Sequence, residues 1–151
     1  MNNQPKPAQI VIMVSGAVAL ISAFLPWWKV PSGFGGDDSN AFDKGLFPFA
    51  TYIILIGIAM GVLAGLSAFA NVNLPERVLG FTWTQVNLVL AVFAGLLAIG
   101  FLIQDSFGLD KGIGLWLGFL ASAGLVTGAV MEHMQSDEVS SGAPSAPPTP
   151  F

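Results

Sequence analysis

Residues 46–70 read LFPFATYIILIGIAMGVLAGLSAFA, with no Asp, Glu, Lys, Arg or His among them. A helix needs about 20 apolar residues to cross the hydrocarbon core of a bilayer. In lipid the backbone must satisfy its own hydrogen bonds, so a segment of this kind is helical. Three further stretches share this character: Ala8 to Trp27, Thr84 to Ile103, and Gly112 to Met131. None contains an ionisable side chain. The sequence therefore predicts an all-α, four-helix transmembrane bundle over residues 1–135, with both termini on one side of the membrane.

Composition points the same way. Charged residues are 9% of the chain and hydrophobic residues 54%, with mean hydropathy +0.73. An ordinary soluble domain carries about 25% charged residues. The formal net charge of −4 gives no basic footprint for nucleic acid or for an anionic membrane surface. The chain has no cysteine, which removes disulfides, thiolate metal sites and thiol chemistry.

The segment ends carry interface markers. Trp27 and Trp28 close the first span, Trp83 opens the third, and Trp116 lies one turn into the fourth. Trp favours the headgroup level, where its ring is in an apolar region and its N–H is wet, so these four are read as interface anchors. Pro26 and Pro31 stop the first helix, and Pro75 breaks the link between the second and third. Pro48 falls in the first turn of the second span, where a missing N–H is tolerated. A short front with Lys6 followed by an apolar run superficially resembles a signal peptide. No small-residue cleavage site follows it, and the span is expected to be retained.

Residues 29–45 form the longest link. Their Gly, Pro and Asx residues predict a compact irregular loop, with Phe34 and Phe42 folded back onto the membrane. From Ser136 the chain has four prolines and many small residues. It is expected to be a disordered Pro/Ser-rich tail over 136–151. Asp43-Lys44-Gly45-Leu46 before the second span is echoed by Asp110-Lys111-Gly112-Ile113 before the fourth. An Asp there meets the positive end of the helix dipole. Convergence on a good helix start explains the echo more simply than duplication of a two-helix unit.

Lipid tails are as apolar as Leu, so helices in a membrane associate through close packing of small residues. Gly57, Gly61 and Gly65 make one smooth stripe on the second span. Gly114, Gly118 and Ser122 make another on the fourth, with Gly124 and Gly128 on a neighbouring face. The first span offers Ser15, Ala19 and Ala23, and the third Asn87, Ala91 and Gly95. These stripes are expected to pack the helices of one chain together. Asn87, the most polar residue well inside a span, is expected to hydrogen-bond a neighbouring helix or interface water.

Reactive constellations are hard to find. Proton-coupled transporters and voltage sensors keep ionisable groups within the membrane, and the four spans hold none. The membrane Glu of small four-helix multidrug exporters, the cysteine pairs of vitamin K-type quinone reductases and the outer cysteines of claudin-type proteins are all missing. Asp37, Asp38, Asn40 and Asp43 lie close together in the first loop and could offer oxygens to Ca²⁺. Their spacing matches no EF-hand, and solvated turn carboxylates are the simpler reading. Glu132 and His133 follow the fourth span without a second His to build a typical zinc site. No catalytic residue, cofactor or metal is assigned.

The exit Phe24-Leu25-Pro26-Trp27-Trp28, the loop Asn40-Ala41-Phe42-Asp43-Lys44-Gly45 and the start Asp110-Lys111-Gly112-Ile113-Gly114-Leu115-Trp116 resemble the small four-span integral membrane proteins common in actinobacteria. The resemblance covers about residues 8 to 133. It implies the plasma membrane and cytoplasmic termini, which puts Lys6 and Arg77 inside and Lys29, Lys44 and Lys111 outside, a cation count that the positive-inside rule slightly opposes. That family carries no known catalytic residues to transfer. The function expected is a non-enzymatic scaffold or accessory subunit of a membrane or cell-envelope complex, partnered by lipid and by a membrane protein or a second copy. The alternative is a small oligomeric transporter or channel.

Overall fold

Four helices account for most of the chain in a computed structural model that describes residues 4–33, 35–43, 48–70, 77–78, 80–105 and 108–141. Helix α1 spans Pro7–Ala23, α2 Phe49–Phe69, α3 Trp83–Ile103 and α4 Ile113–Ser141. Four two-residue strands lie between them: β1 (Trp28–Lys29), β2 (Arg77–Val78), β3 (Phe81–Thr82) and β4 (Asp110–Lys111). The fold is all-α in substance. Helices α2, α3 and α4 are long and apolar enough to cross a membrane, and α1 is a shorter apolar helix of 17 residues.

Each helix begins and ends for a local reason. Pro7 opens α1 with a pre-set φ and no N–H to lose. Pro26 disfavours helical backbone at Leu25. The helix accordingly closes with short bonds from Phe24 N to Ile21 O and from Leu25 N to Ser22 O. It is thus four residues shorter than the apolar run, which was expected to be helical to Trp27. Helix α3 starts on a capping box: Thr82 Oγ1 accepts from Gln85 N, and Thr82 N donates to Gln85 Oε1. The β2–β3 hairpin leads into that cap, with Gly80 at φ 89° in its turn.

Helix α4 has 29 residues, about 43 Å at 1.5 Å per residue. The helix reaches Ser141, six residues into the stretch assigned to a tail. Met, Gln and Glu are good helix formers, and nothing before Ser141 breaks the hydrogen-bond ladder. The rest of that expected tail, 142–151, lies outside the described residues, as do Phe34 and the Lys44–Gly45–Leu46 half of the sequence echo. The other half does not cap α4 as expected. Asp110 and Lys111 form β4, and no acidic side chain occupies the first turn of α4.

Neighbouring helices run antiparallel. Gln9 near the start of α1 bonds Ser67 near the end of α2, and Gly112 and Gly114 at the start of α4 donate to Trp27 O and Pro26 O beyond the end of α1. Helix α1 packs against both α2 and α4, and α3 packs mainly on α4. One apolar cluster holds Trp27, Ile53, Ile54, Ala98, Phe101 and Leu115; a second holds Ile12, Met60, Ala91, Leu125 and Ala129. The outward faces are apolar too: Leu55, Val62, Val89, Leu96, Ile99 and Leu120 are all exposed. A water-facing surface would not be built this way; a lipid-facing one would.

Candidate functional site

The small-residue seams centre on α1. A methyl group placed on Gly16 would come 2.6 Å from Gly57 O and 2.9 Å from Gly61 Cα. One placed on Gly57 would come 2.7 Å from Ala19 Cβ. These backbones touch, which only glycine allows. On the other side of α1, Gly114 and Gly118 meet the Trp27 ring, at 2.7 Å from Cδ1 and 2.8 Å from Cζ2 for an added methyl. Gly124 faces Ser15, and Gly128 faces Ile12 and Ala8 O. Of the expected stripe residues only Gly65 is loosely placed, with Met13 Sδ 3.6 Å from an added methyl. The expected Ser15, Ala19 and Ala23 are all buried on α1, and Gly16 is the position missed, buried with them beside Ile12. Its place next to Ser15 and one turn after Ile12 is visible in the sequence.

Trp27 is a core residue, not an interface anchor. It is 1% exposed, its Nε1 donates to Ser22 O at 2.9 Å, and its ring meets Phe101 edge-on at a centroid distance of 5.6 Å. A main-chain carbonyl satisfies the indole inside the bundle as well as water would outside. Trp28 is also buried. Trp83 is half-buried at the first position of α3, and Trp116 is exposed on α4.

Around Trp27 the chain builds a cap over one end of the bundle. Trp28 and Lys29 pair with Lys111 and Asp110, and Trp28 bridges to Ser39 on its other side. Thr51 Oγ1 donates to Ala41 O, tying α2 to the loop, and Lys111 Nζ donates to Leu102 O in the last turn of α3. A cation at a helix C-terminus is favoured by the dipole. Two of the three loop carboxylates are engaged by the loop itself: Asp38 Oδ1 accepts from Val30 N, and Asp43 Oδ2 from Asn40 N at 2.6 Å. Among the described residues no group of three or more His, Cys, Asp or Glu is placed to hold a metal ion.

The other end, where α1 begins and α4 passes Met131, is polar. Asn87 Nδ2 donates to Glu132 Oε2 at 2.9 Å, so the buried amide of α3 bonds a neighbouring helix. Thr84 Oγ1 lies 3.3 Å from Ser136 Oγ. His133 Nε2 is 3.8 Å from Asp137 Oδ2, while its Nδ1 is buried without a partner. Between α1, α3 and α4 lies a cavity of about 380 Å³, lined by Lys6, Ala8, Gln9, Thr84, Glu132, Gln135 and Ser136. A second, apolar groove of about 290 Å³ runs along the α1–α2 seam beside Gly16 and Gly61.

Comparison with protein-family models, with curated proteins and with solved structures finds no match.

Proposed function

We propose that this chain is a non-enzymatic integral membrane protein of the plasma membrane, a scaffold or accessory subunit of a membrane or cell-envelope complex. All four helices cross the bilayer in this reading, with α1 extended to the far surface by the Phe24–Trp27 segment. Both termini are cytoplasmic, and the 29–45 loop faces out. We place the chain with the small four-span proteins of actinobacteria, on the F-L-P-W exit of α1.

One observation carries the reading: α1 is held backbone to backbone against α2 and pinned on α4 by four glycines and Trp27. Such a seam makes a rigid platform with no internal path. Three of the hydroxyls that could line a polar path are turned to carbonyls of their own helices instead. Ser22 donates to Ala19 O, Ser122 to Gly118 O and Thr127 to Ala123 O. These bonds favour the platform over the transporter alternative. With the seams used inside the chain, the faces left for a partner are the apolar ridge of α3 (Val89, Val92, Phe93, Leu96) and the cap.

Gentle detergent extraction of the native membrane, followed by mass spectrometry of what co-elutes, tests the reading. A stoichiometric membrane-protein partner is the expected result. A homogeneous oligomer that gives solute flux in liposomes would overturn it in favour of the transporter.

A further inference from the structure

The cavity between the start of α1 and the far part of α4 has two walls of opposite character. On one side stand Lys6 and the first turn of α1. Lys6 N donates to Gln9 Oε1, and the N–H groups of Ala8 and Gln9 belong to the first turn, where helices lack internal acceptors. Both the ammonium and the helix dipole make this wall positive. On the other side stands the half-buried carboxylate of Glu132, with the Thr84 and Ser136 hydroxyls beside it. Glu132 Oε2 takes one bond from Asn87. Lys6 and Glu132 line the same space yet form no ion pair: among the described residues, the pair within reach is His133–Asp137.

A half-buried carboxylate gains from a hydrogen-bonded cation, and a bare amide donor does not supply the charge. A metal ion alone is too small for about 380 Å³, a volume at the lower end of organic-ligand pockets. An anion would answer Lys6 and leave Glu132 alone; a simple amine would do the reverse. A group that answers both walls carries both charges, an ammonium and an anion a few bonds apart. The level of the cavity points to its source. Ile113 to Met131 is 19 residues, about 28 Å of helix, so Glu132 lies at the edge of the hydrocarbon core.

We propose that this cavity binds a phosphoethanolamine group, supplied by the headgroup of a membrane lipid. Its ammonium bonds Glu132, Thr84 and Ser136, and its phosphate sits against Lys6 and the start of α1. The proposal rests on the membrane placement given above.

The test is calorimetric titration of the full chain in detergent with dihexanoyl phosphatidylethanolamine. The phosphatidylcholine and phosphatidylglycerol analogues and free O-phosphoethanolamine are run beside it. The expected result is saturable binding of the ethanolamine lipid. The choline lipid, whose quaternary ammonium donates no hydrogen bond, and the glycerol lipid should bind at least about tenfold more weakly. Glu132→Gln keeps an acceptor for Asn87 and should remove the preference for the ethanolamine lipid over the glycerol lipid. Lys6→Gln, at an exposed position, should weaken both, which serves as a second check should the first variant fold poorly. Equal binding of the three lipids, a preference untouched by Glu132→Gln in the folded variant, or an affinity untouched by Lys6→Gln would overturn the proposal. Free O-phosphoethanolamine binding as tightly as the lipid would overturn the lipid source. Recovery of the chain in the aqueous phase without detergent would instead sink the membrane placement.

Discussion

Asn87 and Glu132, 45 positions apart, join α3 to α4 through a bond of 2.9 Å from Nδ2 to Oε2. The bond sits where the apolar part of α4 ends, so it holds the two helices at one depth. It also explains a carboxylate placed where the sequence offers no reason for one.

Removing one partner should cost more than removing both. Asn87→Leu leaves Glu132 without its donor and should lower stability by about 1–3 kcal/mol. Adding Glu132→Met to that variant should recover much of the loss, because neither group is then left unpaired. Unfolding titrations in mixed micelles on the two single variants and the double variant measure the coupling.

The α1–α2 seam should tolerate no added volume at Gly16. A methyl there already overlaps Gly57 O and Gly61 Cα, and both are backbone atoms that cannot turn aside. Gly16→Leu should destabilise the bundle by at least about 1–3 kcal/mol. Gly100→Ala is the control. It is also a helical glycine, but nothing lies within 4 Å of an added methyl, so stability should hold or rise slightly. Thermal unfolding in detergent separates the two.

Much of the fold is legible in the sequence because lipid imposes one rule per segment: an uncharged run of span length is a helix. That rule finds α2, α3 and the apolar part of α4 within a few residues. It misjudges ends, where competing local physics takes over. At Pro26 helix geometry stops before the apolar run does, and past Met131 the helix continues after the apolar run has ended. The glycines of α2 and α4 were legible as packing positions, but their common partner α1 was not, since spacing along a helix does not say which helix it faces. Trp27 shows the limit most clearly. An indole at a span end satisfies the interface rule and the core rule equally, and only the third dimension, with Ser22 O and Phe101 beside it, decides.

That decision is measurable. Trp27→Ala should cost about 3–5 kcal/mol, the usual range for emptying a large aromatic site. It also loses the bond to Ser22 O and the surface that Gly114 and Gly118 fit. Trp27 and Trp116 should differ in what they touch. In liposomes with brominated acyl chains, a variant retaining only Trp116, which is 48% exposed, should be quenched strongly. A variant retaining only Trp27 should be quenched little.

The cap gives a handle on orientation. Asp37 is exposed in the first loop, and the backbone bonds of that loop go to Asp38 and Asp43 instead, so its replacement should leave the cap intact. The native chain has no cysteine, so Asp37→Cys is a unique thiol. A membrane-impermeant maleimide added to intact cells should label it fully before lysis. A cysteine replacing Gln4, in front of α1 and exposed, should react only after lysis, since the antiparallel helices put it at the opposite end from the cap. The reverse pattern would place both termini outside. Labelling of both positions before lysis would mean that α1 does not cross. The pair of variants thus tests the shortest helix as well as the direction of the bundle.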